Sequence, residues 1–202
     1  MKMIKIKTNQ RIFITGKTQS GKTNFAKYLI RQLKNYIIYD IKREYSSFGI
    51  VVHTKKEFLI SLKRGYSQIV IQPNDLSKEN FNEICQIIFQ KLTNIMLIVD
   101  EVHKFCTKSS IPYYLNAIVT VGASLGIGFM GISQRCANVH NDILASSEYI
   151  ISFYQFLDND INKLKEFLGT EAEKLKDIEY YYFLMFSIFD KKIKFYKPIK
   201  KI

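Results

Sequence analysis

No apolar run in the 202 residues approaches the roughly 18 that would span a bilayer, and the opening stretch Met1 to Lys7 lacks the apolar segment of a signal peptide. Cysteine is scarce. Cys85, Cys106 and Cys136 are odd in number, lie far apart and form no CxxC pair, which argues against a disulfide framework and a zinc site and fits a reducing compartment. Only 3 prolines and 9 glycines punctuate the chain, no segment is of low complexity and no stretch repeats at a fixed period, so nothing reads as a linker or a solenoid. The expectation is an intracellular, soluble protein with one domain over residues 1–202, a length that excludes a multi-domain polymerase or a large scaffold.

Acidic residues are also in deficit: 18 Asp and Glu against 30 Lys and Arg leave a net charge of +12, which points to a polyanionic partner, nucleic acid or an anionic membrane surface. Arginine itself is rare, confined to Arg11, Arg31, Arg43, Arg64 and Arg135, so a mechanism that needs a guanidinium has few candidates. What is abundant is apolar surface. At 47% hydrophobic and 14% aromatic residues the chain has ample material for a core, which excludes wholesale disorder.

Short β-rich apolar runs alternate with amphipathic segments, the rhythm of an α/β fold with a mostly parallel sheet. Residues 11–15, 36–40, 50–53, 68–72, 95–99, 128–133 and 149–153 read as strands. Phe25, Ala26, Leu29, Ile30 and Leu33 fall on one face of a helix; further helices are expected before and after the fourth strand, from about Ile111 to Ser124 and from about Asp160 to Leu168. The runs 182–189 and 193–196 flank Asp190-Lys191-Lys192 as a C-terminal β-hairpin.

Between the first strand and the first helix lies Gly16-Lys17-Thr18-Gln19-Ser20-Gly21-Lys22-Thr23, followed by Asn24, a match to G-x-x-x-x-G-K-[ST] in the strand–loop–helix setting that motif requires. Its glycines let the backbone wrap a phosphate, the amide groups and helix N-terminus supply positive potential, Lys22 reaches the outer phosphates and Thr23 offers its hydroxyl to Mg²⁺. A chance turn is the weaker account given the flanking elements. The fifth strand delivers Asp100 and Glu101 to its C-terminal edge, Asp100 suited to Mg²⁺ and Glu101 to polarising an attacking water; without the phosphate loop, a solvated acidic pair would be the better reading. Gln134, at the tip of the sixth strand, is either a γ-phosphate sensor or a capping amide.

These features together, with Asp40-Ile41-Lys42-Arg43-Glu44-Tyr45 after the second strand and the run from Gly122 through Gly126 to Ser133-Gln134-Arg135, resemble the HerA/FtsK superfamily of DNA-pumping ATPases, and more narrowly the small genome-packaging ATPases of viruses with an internal membrane. The resemblance covers about residues 11 to 155 and implies a RecA-like P-loop NTPase of the ASCE type, with helices flanking the sheet. It implies that residues 16–24 bind ATP, that Thr23 and Asp100 hold Mg²⁺, and that Lys22, Glu101 and Gln134 are catalytic. It implies also a homo-oligomeric ring, hexamer or pentamer, that translocates double-stranded DNA without strong sequence specificity, docks on capsid or internal-membrane proteins, and works in the host cytoplasm or with the virion. Many members carry an Arg just after the glycine matching Gly122, reaching into the neighbouring subunit; here that position is Ala123. Arg135, Arg43, Arg64 or a lysine are the replacements, each also readable as an ordinary surface cation.

Lys55-Lys56 and the segment of His103, Lys104 and Lys108 are candidate DNA contacts, although such clusters are usually solvated faces. The three histidines show no metal-ligand spacing and receive no catalytic role. Asp40 and Glu44 either orient the site or simply end a strand and begin a helix. The Tyr180 to Phe186 run reads as a core strand or an oligomer contact rather than a base-stacking surface. A switch GTPase lacks its [NT]-K-x-D motif here, and a nucleotide kinase lacks its arginine-rich lid. The competing reading is a nucleotide-dependent protein that binds or partitions DNA or associates with a membrane.

Overall fold

The computed structural model describes residues 4–199. In chain order the elements are β1 (Arg11–Thr15), α1 (Lys22–Ile30), β2 (Tyr36–Tyr39), β3 (Ile50–Val52), α2 (Lys55–Lys63), β4 (Gln68–Ile71), α3 (Lys78–Lys91), β5 (Ile95–Val99), α4 (Tyr113–Thr120), β6 (Ile127–Ser133), α5 (Asn141–Ala145), β7 (Tyr149–Ser152), α6 (Asp158–Leu168), β8 (Phe183–Ser187) and β9 (Lys192–Tyr196). All nine strands form one sheet in the order β3-β4-β2-β5-β6-β1-β7-β8-β9. The first seven in the chain run parallel, and β8 and β9 close the sheet antiparallel as the expected hairpin.

Strand β6 lies between β1 and β5, the insertion that defines the ASCE arrangement. Its register sets the site: Thr15 is level with Ser133 across β1 and β6, and Val99 is level with Gly131 across β5 and β6. The residues that follow each strand therefore emerge side by side at one edge of the sheet.

The central strands are buried on both faces, and alternate residues serve two cores. On one side Phe13, Tyr39, Leu97, Val99 and Phe129 meet Phe58 of α2, Phe81 and Ile84 of α3 and Leu115 of α4. On the other, Ile12, Ile14, Ile98 and Ile132 meet α1, whose Phe25, Ala26, Leu29 and Ile30 are wholly buried. Burial of each of these larger apolar side chains contributes about 1.5–3 kcal/mol, which fixes α1, and with it the phosphate loop, against the sheet. Thr54 and Ser77 cap α2 and α3 by accepting hydrogen bonds from the Glu57 and Asn80 amides.

The helix expected over residues 111–124 is shorter than its apolar pattern: Pro112 caps α4 and a separate 3-10 turn occupies Gly122–Leu125. Proline is pre-set for a helix entrance and glycine weakens a helix interior, so the run breaks at both ends. Helix α6 starts at Asp158, two residues earlier than its pattern suggests, and the five-residue α5 has no pattern long enough to reveal it. The three cysteines are free and buried.

Candidate nucleotide site

The loop between β1 and α1 is held by its own backbone and by the strand beside it. Gly16 has φ 149° and a Cβ there would lie 2.6 Å from Phe153 Cβ and 2.7 Å from Ser20 Oγ; Gly21 has φ 114°, with a Cβ 3.1 Å from the Phe153 ring and 3.2 Å from that of Tyr181. Both positions need glycine for conformation and for space. The Lys17 amide donates to Tyr154 O at 2.8 Å, while its ammonium sits 4.6 Å from the Phe156 ring centroid. Ser20 is buried inside the loop. Lys22 curls back so that Nζ donates to Lys17 O at 2.7 Å, and burial lowers its pKa to about 8. A cationic group, uncapped helix amides and a curled backbone make a concave anion cradle.

Five buried residues of β5 lead to Asp100 and Glu101, themselves 1% and 2% exposed. Burial, with the neighbouring Glu101 charge, pushes Asp100 up to about 7. Its Oδ2 is buried and has no hydrogen-bond partner. A buried carboxylate oxygen without a donor, beside the Thr23 hydroxyl in the same cavity wall, is the donor set that a hard divalent cation takes, so these residues fit Mg²⁺.

Glu101 holds the left-handed conformation (φ 54°, ψ 48°), unusual for a non-glycine residue and typical of functional positions. Three groups converge on its carboxylate: the Lys42 ammonium, Gln134 Nε2 at 2.5 Å, and His103 Nδ1 at 3.2 Å. Burial works against the charge, but the bonds from Lys42 and Gln134 outweigh it and keep the carboxyl below its ordinary range. Burial conversely lowers the His103 pKa, partly opposed by Glu101, and its Nδ1 also lies 3.0 Å from Ser133 Oγ. Gln134 completes a chain by accepting from Thr18 Oγ1 at 2.7 Å, so one amide links the phosphate loop to Glu101.

The loop after β2 supplies the remaining wall. Buried Asp40 accepts from the Glu44 and Tyr45 amides and from Gln72 Nε2, all at 3.0 Å, and so shapes the turn that presents Lys42 and Glu44. Glu44 Oε2 then accepts from Thr23 Oγ1 at 3.1 Å. A cavity of about 420 Å³ results, lined by Thr18, Gln19, Gly21, Lys22, Thr23 and Asn24 together with Lys42, Glu44, Asp100, Gln134 and Tyr181.

The candidate cations scatter. Arg43 is exposed on the loop between Lys42 and Glu44, at the phosphate-loop edge of the sheet, whereas Arg64 follows the far end of α2 at the opposite edge. Arg135 is engaged within its own chain, its Nε 2.9 Å from Oδ2 of the wholly buried Asp160. Lys104 and Lys108 are exposed on the segment that leaves the acidic pair; Lys55 and Lys56 begin α2, and Lys55 is ion-paired with Glu83. Lys42, His103 and Tyr181 were not expected at the site. Lys42 and Tyr181 reach it from loops whose spacing carries no motif, apart from the run Asp40 to Tyr45 that marks the first, and His103 reaches it from the 3-10 turn Val102–Lys104 that follows Glu101.

The family model of the central domain of helicase HerA matches residues 4–184, and the chain belongs to that family. It is a P-loop ATPase of the HerA/FtsK type. Among solved structures, it is similar to the genome packaging NTPase B204 from Sulfolobus turreted icosahedral virus 2 in complex with ATP-gammaS, at 22% identity over 96% of this chain and 100% of that one, with a TM-score of 0.82. It is similar also to VirB4 of Thermoanaerobacter pseudethanolicus (10% identity, 94% and 89% of the two chains, TM-score 0.69) and to the pCW3 conjugation coupling protein TcpA (16% identity, 90% and 59%, TM-score 0.60). No curated protein sequence matches the chain. At these identities the structural likeness is one of fold, and it bears out the RecA-like α/β architecture.

Proposed function

We propose that this chain is the ATP-hydrolysing subunit of a homo-oligomeric ring, hexameric or pentameric, that drives double-stranded DNA into a preformed viral capsid in the host cytoplasm. The observation that carries the reading is the convergence of Lys22, Thr23, Asp100 and Gln134 on one cavity, with Glu101 bonded to Gln134 behind it, within a HerA-family chain. The fold likeness to a viral genome packaging NTPase and to a conjugation coupling protein supports DNA as the cargo, and the net charge of +12 suits a sequence-independent grip on phosphates.

Lys22 leaves Lys17 O for the outer phosphates of ATP, and the loop amides take the rest of the charge. Thr23 and Asp100 would hold Mg²⁺, which when bound would supply neutralisation of the charge that builds on the phosphates. Glu101 orients and polarises the water that attacks the γ-phosphate, while Gln134 reports the state of that phosphate to Thr18 on one side and Glu101 on the other. Lys42 and His103 hold the Glu101 carboxylate in place. Lys104 and Lys108 are the better-placed DNA contacts, since they follow the acidic pair directly in the chain, whereas Lys55 is ion-paired with Glu83.

The test is ATP turnover with and without double-stranded DNA for the native chain, Lys22→Ala and Glu101→Gln. The expected result is DNA-stimulated, salt-sensitive hydrolysis that both variants lose, roughly 10²–10⁴-fold for Glu101→Gln, with ATP binding kept by the latter. Nucleotide binding without hydrolysis under either condition would instead favour a nucleotide-gated binding or partitioning protein.

A further inference from the structure

The edge of the sheet opposite the phosphate loop has a chemistry of its own. Segments 31–35, 91–94, 121–126, 4–10 and 146–148, which enter β2, β5, β6, β1 and β7, lie side by side there, and the turn 188–191 between β8 and β9 follows them. They carry Arg31, Lys34, Lys91, Lys5, Lys7 and Lys191, all exposed. The acids of these segments, among the described residues, are Glu148 and Asp190, and each is already paired, with Arg11 and Lys194. The edge is therefore strongly cationic. One groove of about 450 Å³ joins Lys5 and Lys7 to Phe189 and Lys194, and another of about 530 Å³ runs on from Lys7 to Lys34.

Apolar side chains stand among these cations. Val121 and Leu125 are 51% and 45% exposed, and Ile188 and Phe189, at the hairpin tip beside Lys191 and Lys192, are 49% and 62% exposed. Phe189 leans on the Tyr149 ring, with centroids 5.8 Å apart, and still gives most of its surface to solvent. Single exposed apolar residues are ordinary, but several set among cations along one edge mark an interaction surface.

Two polyanions match the charge, a nucleic acid and an anionic membrane. A phosphodiester backbone presents charge and sugar, so aliphatic and phenyl groups between the lysines gain little from it. A bilayer interface takes both kinds of group: anionic headgroups meet the ammonium and guanidinium groups, and the acyl boundary accepts the apolar tips. We propose that this edge is a docking surface for an anionic lipid bilayer, with Ile188 and Phe189 as the inserted tip and Lys5, Lys7, Lys34 and Lys191 among the headgroup contacts. The nucleotide cavity lies at the other end of five-residue strands, about 17 Å away, so the chain binds ATP while seated on lipid. The docking surface goes beyond the proposed function and does not rest on it.

The chain has no tryptophan, so Phe189→Trp places a single fluorophore at the hairpin tip. The experiment is co-sedimentation of the full chain, and emission of that variant, with vesicles of phosphatidylcholine mixed with phosphatidylglycerol and with phosphatidylcholine alone. The native chain is expected to bind the mixed vesicles, more weakly at high salt, and the emission to shift to the blue with those vesicles only. Joint replacement Lys191→Gln and Lys192→Gln should weaken binding about 10–30-fold, at about fivefold for each cation near an anionic surface. Joint replacement Ile188→Ser and Phe189→Ser should weaken it by about tenfold or more. Both should leave ATP affinity unchanged. Absence of binding to the mixed vesicles, equal binding to neutral ones, or full affinity in either double variant would overturn the docking surface. Unshifted emission on bound vesicles would overturn insertion of the tip. Loss of double-stranded DNA binding in the lysine variant, with vesicles ignored by the native chain, would assign the edge to nucleic acid instead.

Discussion

Gln134 donates from Nε2 to Glu101 Oε1 at 2.5 Å while its own carbonyl oxygen accepts from Thr18, so the tip of β6 joins the acidic pair to the phosphate loop. An amide can serve both directions at once; a carboxylate or a methyl cannot. Gln134→Ala is expected to lower kcat by about 10–100-fold with ATP affinity changed only severalfold, because the Lys22 cradle is untouched. Single-turnover hydrolysis together with equilibrium ATP binding checks this, and an equal loss in both would mean that Gln134 only shapes the loop.

Lys42 is the cationic partner of Glu101, and its bond is among the groups that keep the Glu101 carboxyl below its ordinary range. Replacing it with Gln removes that charge and raises the Glu101 pKa. The acidic limb of the kcat profile should therefore move to higher pH, with the loss of activity greatest on the acid side. An unshifted limb in Lys42→Gln would dissociate this lysine from the chemistry.

Asp100 makes the metal-free, nucleotide-free chain sensitive to pH. Burial and the Glu101 charge raise its folded pKa to about 7, above the ordinary aspartate value of about 4, so the folded state binds the extra proton between those values. The stability it contributes is present below about pH 4 and is lost as pH rises through about 7. Asp100→Asn should flatten that part of the curve and stabilise the metal-free chain at pH 7.5 by on the order of 1–3 kcal/mol, while abolishing hydrolysis. Urea unfolding of both proteins in chelator at pH 5 and 7.5 is the measurement; a stability difference independent of pH would contradict it.

Arg135 and Arg43 should separate cleanly. Asp160 is wholly buried and is satisfied by Arg135 Nε at 2.9 Å and the Ala137 amide at 2.8 Å, so Arg135→Ala leaves a buried carboxylate short of its cation. A loss of about 2 kcal/mol is expected, less than the 3–5 of a fully buried pair because the Arg135 side chain is 40% exposed. Arg43→Ala should leave the unfolding midpoint within about 0.5 kcal/mol and lower turnover only if this arginine serves a neighbouring subunit's site. Thermal denaturation and turnover of both variants decide between them. Lost turnover with unchanged stability in Arg135→Ala would return the trans-acting role to that residue.

The strand rhythm, the phosphate loop and the acidic pair were legible because each is a local pattern: alternation or an apolar run, glycines at fixed spacing, charge immediately after a buried strand. Even the adjacency of Gln134 to Glu101 followed from strand-tip positions once β6 pairs with β5. Lys42, His103 and Tyr181 were not legible. Lys42 reaches Glu101 across 59 residues of sequence and Tyr181 reaches Gly21 from the turn before β8, separations set by strand order, which no spacing encodes; His103, two residues past Glu101, is turned back onto it by the 3-10 turn Val102–Lys104. The role of Arg135 was hidden for the same reason, since its partner lies on α6. Asp40, ambiguous as a strand-end acid, became specific only through the amides of Glu44 and Tyr45 folding back upon it.

The nine-stranded sheet finishes in two contrasting ways. At one margin stands β3, only three residues long; at the other stands β9, where Lys192 and Lys194 point into solvent. A short strand offers little template and a lysine-bearing one repels its own kind, the two devices by which sheets avoid fusing with others. Copies of this chain that meet at high local concentration can thus press against one another without zipping into a continuous β-structure.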